Sequence, residues 1–249
     1  MTTSSRILPA PAAALPIAAM PVWKRSFDLL CCLLSLPVLA VCSLLMLAVT
    51  RLISPGPLFF RQERVGWRGR RFLIYKFRTM TVGADTTVHE NHVRQLLASN
   101  APMAKLDARR DVRLIPGGRW LRAAGLDELP QLLNILRGEM SLVGPRPCLP
   151  GEFDHGAPEH AGRTDAVPGL TGLWQVSGKN RTTFQEMIRL DVHYARHVSL
   201  RLDLKIIVLT PFVLLRQLFD LRARRTQPRG ASLRVPVIPA VLAEANLPR

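Results

Sequence analysis

Leu29-Leu30-Cys31-Cys32-Leu33-Leu34-Ser35-Leu36-Pro37-Val38-Leu39-Ala40-Val41-Cys42-Ser43-Leu44-Leu45-Met46-Leu47-Ala48-Val49-Thr50 carries no charge over 22 residues. As a helix it is about 33 Å long, enough to reach across a bilayer core. The flanks complicate simple spanning. Lys24 and Arg25 precede the run, and Arg51, Arg61, Arg64, Arg68, Arg70 and Arg71 follow it. Basic residues favour the cytoplasmic side, and here both ends ask for it. Pro37 removes one helical hydrogen bond from the middle of the run. Ser35 beside it can satisfy a freed carbonyl. Two topologies fit equally: a helix that enters, bends at Ser35-Leu36-Pro37 and returns to the same face, and a spanning helix with a proline kink.

Outward from this run, residues 1–21 are Ala- and Pro-rich with one charge, Arg6, and read as a disordered leader. Ser54-Pro55-Gly56-Pro57 is a hard turn. Leu58–Gly66 and Arg71–Arg78 read as two short strands joined through Trp67-Arg68-Gly69-Arg70. Residues 84–110 are polar and partly helical. Leu129, Leu132, Leu133 and Leu136 recur at helical spacing, and Gly138 stops them. Residues 182–198 read as an amphipathic helix. Residues 206–219 are apolar but too short to span, which suits either a membrane-surface helix or a core helix. The stretch from Arg222 is a basic, disordered tail able to touch acidic lipid.

A formal charge of +16 beside a hydrophobic fraction of 48% suits an anionic partner: nucleic acid, acidic lipid or a phosphorylated substrate. An aromatic content of 6%, with no nucleic-acid motif, counts against nucleic acid. Three of the four cysteines sit in the apolar run and form no CxxC pair, so they read as buried thiols rather than a disulfide framework. The polar part is therefore expected to face the cytoplasm.

The strongest chemical constellation is Leu126-Asp127-Glu128-Leu129-Pro130-Gln131-Leu132. Asp127 stands where a helix N-cap would, with Pro130 in the first turn. A purely structural role explains the pair. So does a functional one: helix N-termini favour phosphate, and an ionised carboxylate beside a diphosphate can attack phosphorus and form an acyl phosphate. Glu128 can bind metal or act as a base. Phosphoryl chemistry needs positioned cations. Lys76 and Arg78 alternate about Phe77, Arg122 precedes Asp127, Arg146 is held between Pro145 and Pro147, and Lys179 follows Gly178. The chain contains neither a Walker loop nor a GxGxxG fingerprint.

Several segments in series carry a resemblance. They are Lys24-Arg25-Ser26-Phe27-Asp28, Ser54-Pro55-Gly56-Pro57, Phe60–Gly66, Tyr75–Met80, Asp127–Leu132 with Asn134 and Gly138, Met140–Pro147, and Pro168–Gly178. Together they resemble the bacterial sugar transferases, the monotopic polyprenyl-phosphate phosphoglycosyl transferases, over roughly residues 22–220. Two departures stand out. Leu36 separates Ser35 from Pro37, and Gly125 occupies a place that is often Ser or Thr.

The resemblance implies an α+β, mostly helical fold. It comprises a re-entrant membrane helix (22–55) broken at Ser35 and Pro37, a cytoplasmic catalytic domain (56–221) with a small β-hairpin, and a tail (222–249). It implies localisation at the bacterial inner membrane and Mg2+ as cofactor, with Asp127 a candidate ligand. Asp127 would be the nucleophile and Glu128 its partner, while Lys76, Arg78, Arg122 and Arg146 would hold phosphates. The implied partners are a UDP-sugar, undecaprenyl phosphate, inner-membrane lipid and a second copy of the chain. The implied reaction starts an exopolysaccharide repeat unit by transferring hexose 1-phosphate, galactose or glucose. The rival readings are a non-catalytic scaffold of a polysaccharide assembly complex and a membrane-anchored nucleic-acid binder.

Overall fold

The computed structural model describes residues 20–84, 113–154, 158–179 and 182–226. The leader at 1–19, most of the 84–110 segment and the tail from 227 lie outside the described residues.

Helix α1 runs unbroken from Val22 to Leu52 with Pro37 inside it. Among the described residues it is the helix long and apolar enough to cross a membrane. Its buried positions, Lys24, Asp28, Cys32, Leu39, Met46 and Thr50, are four or seven apart and so form one stripe. The rest of its surface exposes Leu33, Leu34, Val38, Val41, Leu44 and Leu45. The expectation for Ser35 needs correction. Its hydroxyl donates to the Cys31 carbonyl at 2.8 Å. Pro37 deprives the carbonyl of Leu33, two residues before Ser35, whereas a helical serine reaches carbonyls three or four residues back.

Strands β1 (Phe59–Val65) and β2 (Arg71–Phe77) form the expected antiparallel hairpin, in register from Phe59↔Phe77 to Val65↔Arg71. Then follow α2 (Gly118–Ala124), a 3-10 turn (Leu126–Gln131), α3 (Leu132–Leu136) and β3 (Ser141–Val143). After them come α4 (Pro150–Asp154), β4 (Gly169–Thr171) and α5 (Leu173–Val176). The β3–β4 pair is parallel, and three residues per strand leave too little alternation to be read from sequence.

Helix α6 (Phe184–Arg196) begins in a capping box. The Thr183 hydroxyl accepts from the Glu186 N–H (3.2 Å), and the Glu186 carboxylate accepts from the Thr183 N–H (2.8 Å). Helix α7 (Leu200–Thr226) swallows the apolar stretch 206–219 and continues into the segment read as tail. It starts earlier because Ser199 provides an acceptor for the Leu202 N–H.

Two apolar clusters hold the chain together. One packs α5, α6 and α7 around Trp174, Met187, Tyr194 and Ile206. The other joins α1 to the hairpin and α3 through Cys32, Leu39, Met46, Phe72, Ile74, Phe77, Leu132 and Ile135.

Both ends of α1 are fixed to the same body. At its start, Arg25 donates to the last carbonyls of α3, those of Ile135 and Leu136, at 2.5 and 2.8 Å. Asp28 accepts from the Leu142 N–H at 3.0 Å, and Lys24 reaches the Val143 carbonyl at 2.9 Å. Just past its end, Arg78 donates to both the carbonyl and the hydroxyl of Ser54.

Candidate active site

Asp127 and Glu128 lie on the 3-10 turn, not at a helix N-cap. Gly125, with φ +71°, ends α2 and turns the chain directly into Leu126, so it takes the cap position and supplies no side-chain cap. The helix-dipole argument for phosphate therefore falls away, since a six-residue 3-10 turn has little macrodipole. What remains is side-chain electrostatics. Asp127 is buried and Glu128 half-exposed.

Lys76, near the end of β2, donates to Glu128 Oε1 at 2.6 Å. The turn is registered on β2 by Asn134, which is fully buried. Its amide donates to the Leu73 carbonyl (2.7 Å) and its oxygen accepts from the Tyr75 N–H (3.2 Å). The carboxamide thus behaves like one residue of a neighbouring strand on the open edge of β2. The remaining amide hydrogen goes to Glu139 at 2.7 Å. Asn134 belonged to the motif series, yet nothing in its spacing identified this role.

Lys179 joins the same cluster. Burial pushes its ammonium below the ordinary lysine range; Glu128 and Asp127 oppose that shift and Lys76 adds to it.

The Arg146 loop is built by glycine. A Cβ on Gly144 would run into the Val167 carbonyl and lie 2.6 Å from the Gly169 nitrogen, so only glycine permits this crossing of the two loops. Val65 and Cys148 then bridge the loop to the end of β1. Arg146 Nη1 donates to both oxygens of Glu152, at 3.1 and 2.9 Å. Its carbonyl accepts from Arg163 at 3.1 Å, and Arg163 pairs with Asp191 at 2.6 Å. Burial pushes Glu152 up, but Arg146, Arg163 and Arg64 outweigh it and hold the carboxyl below its usual range. Arg64 is pushed down to about 10 by burial and by Arg146, against Glu152 and Glu128.

The other expected cations divide. Arg122 stands in the last turn of α2, three residues before Gly125. Arg78 does not point its guanidinium at free space for a phosphate: Nε donates to the Pro57 carbonyl at 2.8 Å, and the other nitrogens bind Ser54 and the Met80 carbonyl. The strand ends at Phe77, so the alternation that paired Lys76 with Arg78 on one face stops before it matters.

The model of a family described as bacterial sugar transferase matches residues 19–217. The chain belongs to that family. Its relatives include an exopolysaccharide production protein of Sinorhizobium fredii, 39% identical over 189 residues, covering 75% of this chain and 83% of that one. Another is a UDP-glucose:undecaprenyl-phosphate glucose-1-phosphate transferase of Caulobacter vibrioides, 41% identical over 208 residues (80% and 72%). A third is an undecaprenyl-phosphate galactose phosphotransferase of Salmonella typhimurium, 37% identical over 204 residues (78% and 40%). The sugar transferase is thus an enzyme. Among its described residues, no cluster of three or more His, Cys, Asp or Glu forms a ready metal cage. Adjacent Asp127 and Glu128 do fit a hard cation completed mostly by substrate phosphate and water, the usual habit of Mg2+.

Proposed function

We propose that this sugar transferase moves a hexose 1-phosphate, galactose or glucose, from a UDP-sugar to undecaprenyl phosphate, opening exopolysaccharide repeat-unit synthesis. The observation that carries the reading is the buried Asp127 beside Glu128, whose carboxylate is held by Lys76 at the end of β2. The relatives named for this chemistry support the substrate class.

An Asp127 carboxylate oxygen attacks the β-phosphorus of the donor. The bond to the bridging oxygen breaks and its electrons leave on UMP, so the sugar phosphate is held as an acyl phosphate. An oxygen of the polyprenyl phosphate then attacks that phosphorus and frees Asp127. Lys76 fixes Glu128, and Glu152 fixes the Arg146 guanidinium toward one geometry, which lowers the ordering cost of gripping phosphate. Mg2+ held by Asp127 and Glu128 would neutralise diphosphate charge.

The lipid acceptor explains the architecture. Both ends of α1 are tied to one catalytic body while its middle exposes leucines, which supports a helix that enters and leaves the cytoplasmic face of the inner membrane. On α7, Leu204, Val208, Phe212, Leu215 and Phe219 are exposed at helical spacing and suit the same lipid surface.

The test is UMP release and adduct formation by purified protein in nanodiscs with Mg2+, across a panel of UDP-sugars. Wild type should release UMP with one or two donors and, without acceptor, gain the mass of a phosphohexose. Asp127→Asn should do neither. UMP release that waits for lipid would replace the two-step mechanism with a one-step ternary one.

A further inference from the structure

The turn that carries Asp127 and Glu128 begins at a residue with no side chain of its own to pack. Gly125 has φ +71°; it ends α2 and starts the 3-10 turn. Its carbonyl accepts from the Glu128 N–H at 3.1 Å, so the backbone at Gly125 sets how the two carboxylates leave α2. The cover for this glycine comes from far along the chain. A Cβ on Gly125 would lie 3.3 Å from Leu214 Cδ2 and 3.6 Å from Leu214 Cδ1. Both methyls of one α7 leucine therefore sit over the glycine. Helix α7 also packs along α2, whose last turn carries Arg122.

Leu214 stands apart from the other faces of α7. Leu209 and Val213 pack against the cluster around Trp174. Val208, Phe212, Leu215 and Phe219 are exposed. Leu214 is half-buried and belongs to neither apolar cluster. Its methyls meet the start of the catalytic turn. Glycine in the left-handed region is the residue with the widest choice of neighbouring conformations. In-line attack on phosphorus tolerates little such freedom, since a displacement of about 1 Å can cost about 10²-fold in rate.

We propose that Leu214 is a positioning residue for the transfer: packed on Gly125, it holds the turn so that Asp127 meets the donor phosphorus in line. The proposal rests on the transfer reaction above. Leu214 takes no part in making or breaking bonds. It acts through Gly125, by narrowing the backbone excursions open two residues before the nucleophile.

The experiment compares wild type, Leu214→Ala, Leu214→Met, Leu209→Ala, Gly125→Ala and the Gly125→Ala/Leu214→Ala double variant in nanodiscs with Mg2+ and a UDP-sugar that wild type accepts. It measures melting temperature, donor KM and the single-turnover rate of phosphosugar adduct formation without acceptor. Leu214→Ala should slow adduct formation about tenfold and leave donor KM within about twofold of wild type. Leu214→Met, of similar volume, should keep the rate within about threefold. Leu209→Ala removes the same atoms from another face of α7. It should lower the melting temperature comparably while its rate stays within about twofold of wild type. Gly125→Ala should also slow adduct formation, because its methyl presses on Leu214 and its backbone is strained at φ +71°. Removing Leu214 makes room for that methyl, so the two losses should not multiply in the double variant. A wild-type rate in Leu214→Ala, equal slowing in Leu214→Ala and Leu209→Ala, or losses that multiply in the double variant would each overturn the proposal and leave the reaction intact. A wild-type protein that forms no adduct and releases no UMP with any donor would overturn both the reaction and this role for Leu214.

Discussion

The Lys24 ammonium donates to Asp203 Oδ2 at 2.5 Å, joining the first turn of α1 to the first turn of α7 across 179 positions of sequence. Tyr194 completes the knot, donating to Asp203 Oδ1 at 2.6 Å. Both charges are almost wholly buried. Removing one strands the other, which costs about 3–5 kcal/mol. Lys24→Met should therefore lower the unfolding midpoint sharply in nanodiscs. Lys24→Met with Asp203→Leu should recover part of the loss, because an apolar pair leaves no buried charge. Equal losses in the single and double variants would refute this account.

Arg78 separates stability from substrate binding. Its guanidinium serves Ser54, Pro57 and Met80, closing the turn that follows α1. Lysine offers a compact ammonium instead of a planar fork and cannot keep all three partners. Arg78→Lys should lose about 1–3 kcal/mol of stability, with donor KM within about twofold of wild type. A large rise in KM without loss of stability would instead make Arg78 a phosphate ligand.

The hairpin, the Leu132–Leu136 helix and the apolar run were legible in sequence because strand composition, helical leucine spacing and a long absence of charge are local signals, whereas the 3-10 turn that takes Leu129 is not. The pairing of Asp127 with Glu128 was legible as a motif, and so were the cations, but not which of them meet. Lys76 and Arg78 look equivalent on a strand pattern; only the end of the strand at Phe77 sends one to Glu128 and the other to Ser54. Asn134 and Glu152 act through contacts set by tertiary folding, with a strand edge in one case and a guanidinium in the other. Gly125 misled the cap assignment because its left-handed backbone, not Asp127, starts the turn.

Glu152 gives the fold a specific acid sensitivity. Its folded pKa lies below the ordinary 4.5 because Arg146, Arg163 and Arg64 outweigh the cost of burial. A depressed carboxyl stabilises the fold fully above its unfolded value and loses that stabilisation as pH falls through the folded value. Glu152→Gln should then be less stable than wild type by about 1–3 kcal/mol at neutral pH. The gap should narrow as pH drops below 4.5. Chemical denaturation of both proteins over a pH series measures it. A gap that stays constant into acid would mean that Glu152 contributes through shape and not charge.

Cysteine labelling tests the topology of α1. Val22 and Leu52 are both highly exposed, one near each end of the helix. The ties from Lys24 to Asp203 and from Arg78 to Ser54 hold both ends to one body, which supports the proposal that both ends face the cytoplasm. In a chain with Cys31, Cys32, Cys42 and Cys148 replaced by serine or alanine, Val22→Cys and Leu52→Cys report the two ends separately. A membrane-impermeant thiol reagent should label both in inverted inner-membrane vesicles and neither in intact cells. Labelling of one end from outside would mean that the helix crosses the bilayer, and the contacts at that end would have to break in the membrane. Labelling of both only from the cytoplasmic side would put both ends on one face, with the helix either bent back within the lipid or lying along its surface. Pro37, which leaves the Leu33 carbonyl without its helical donor, is where the backbone can yield.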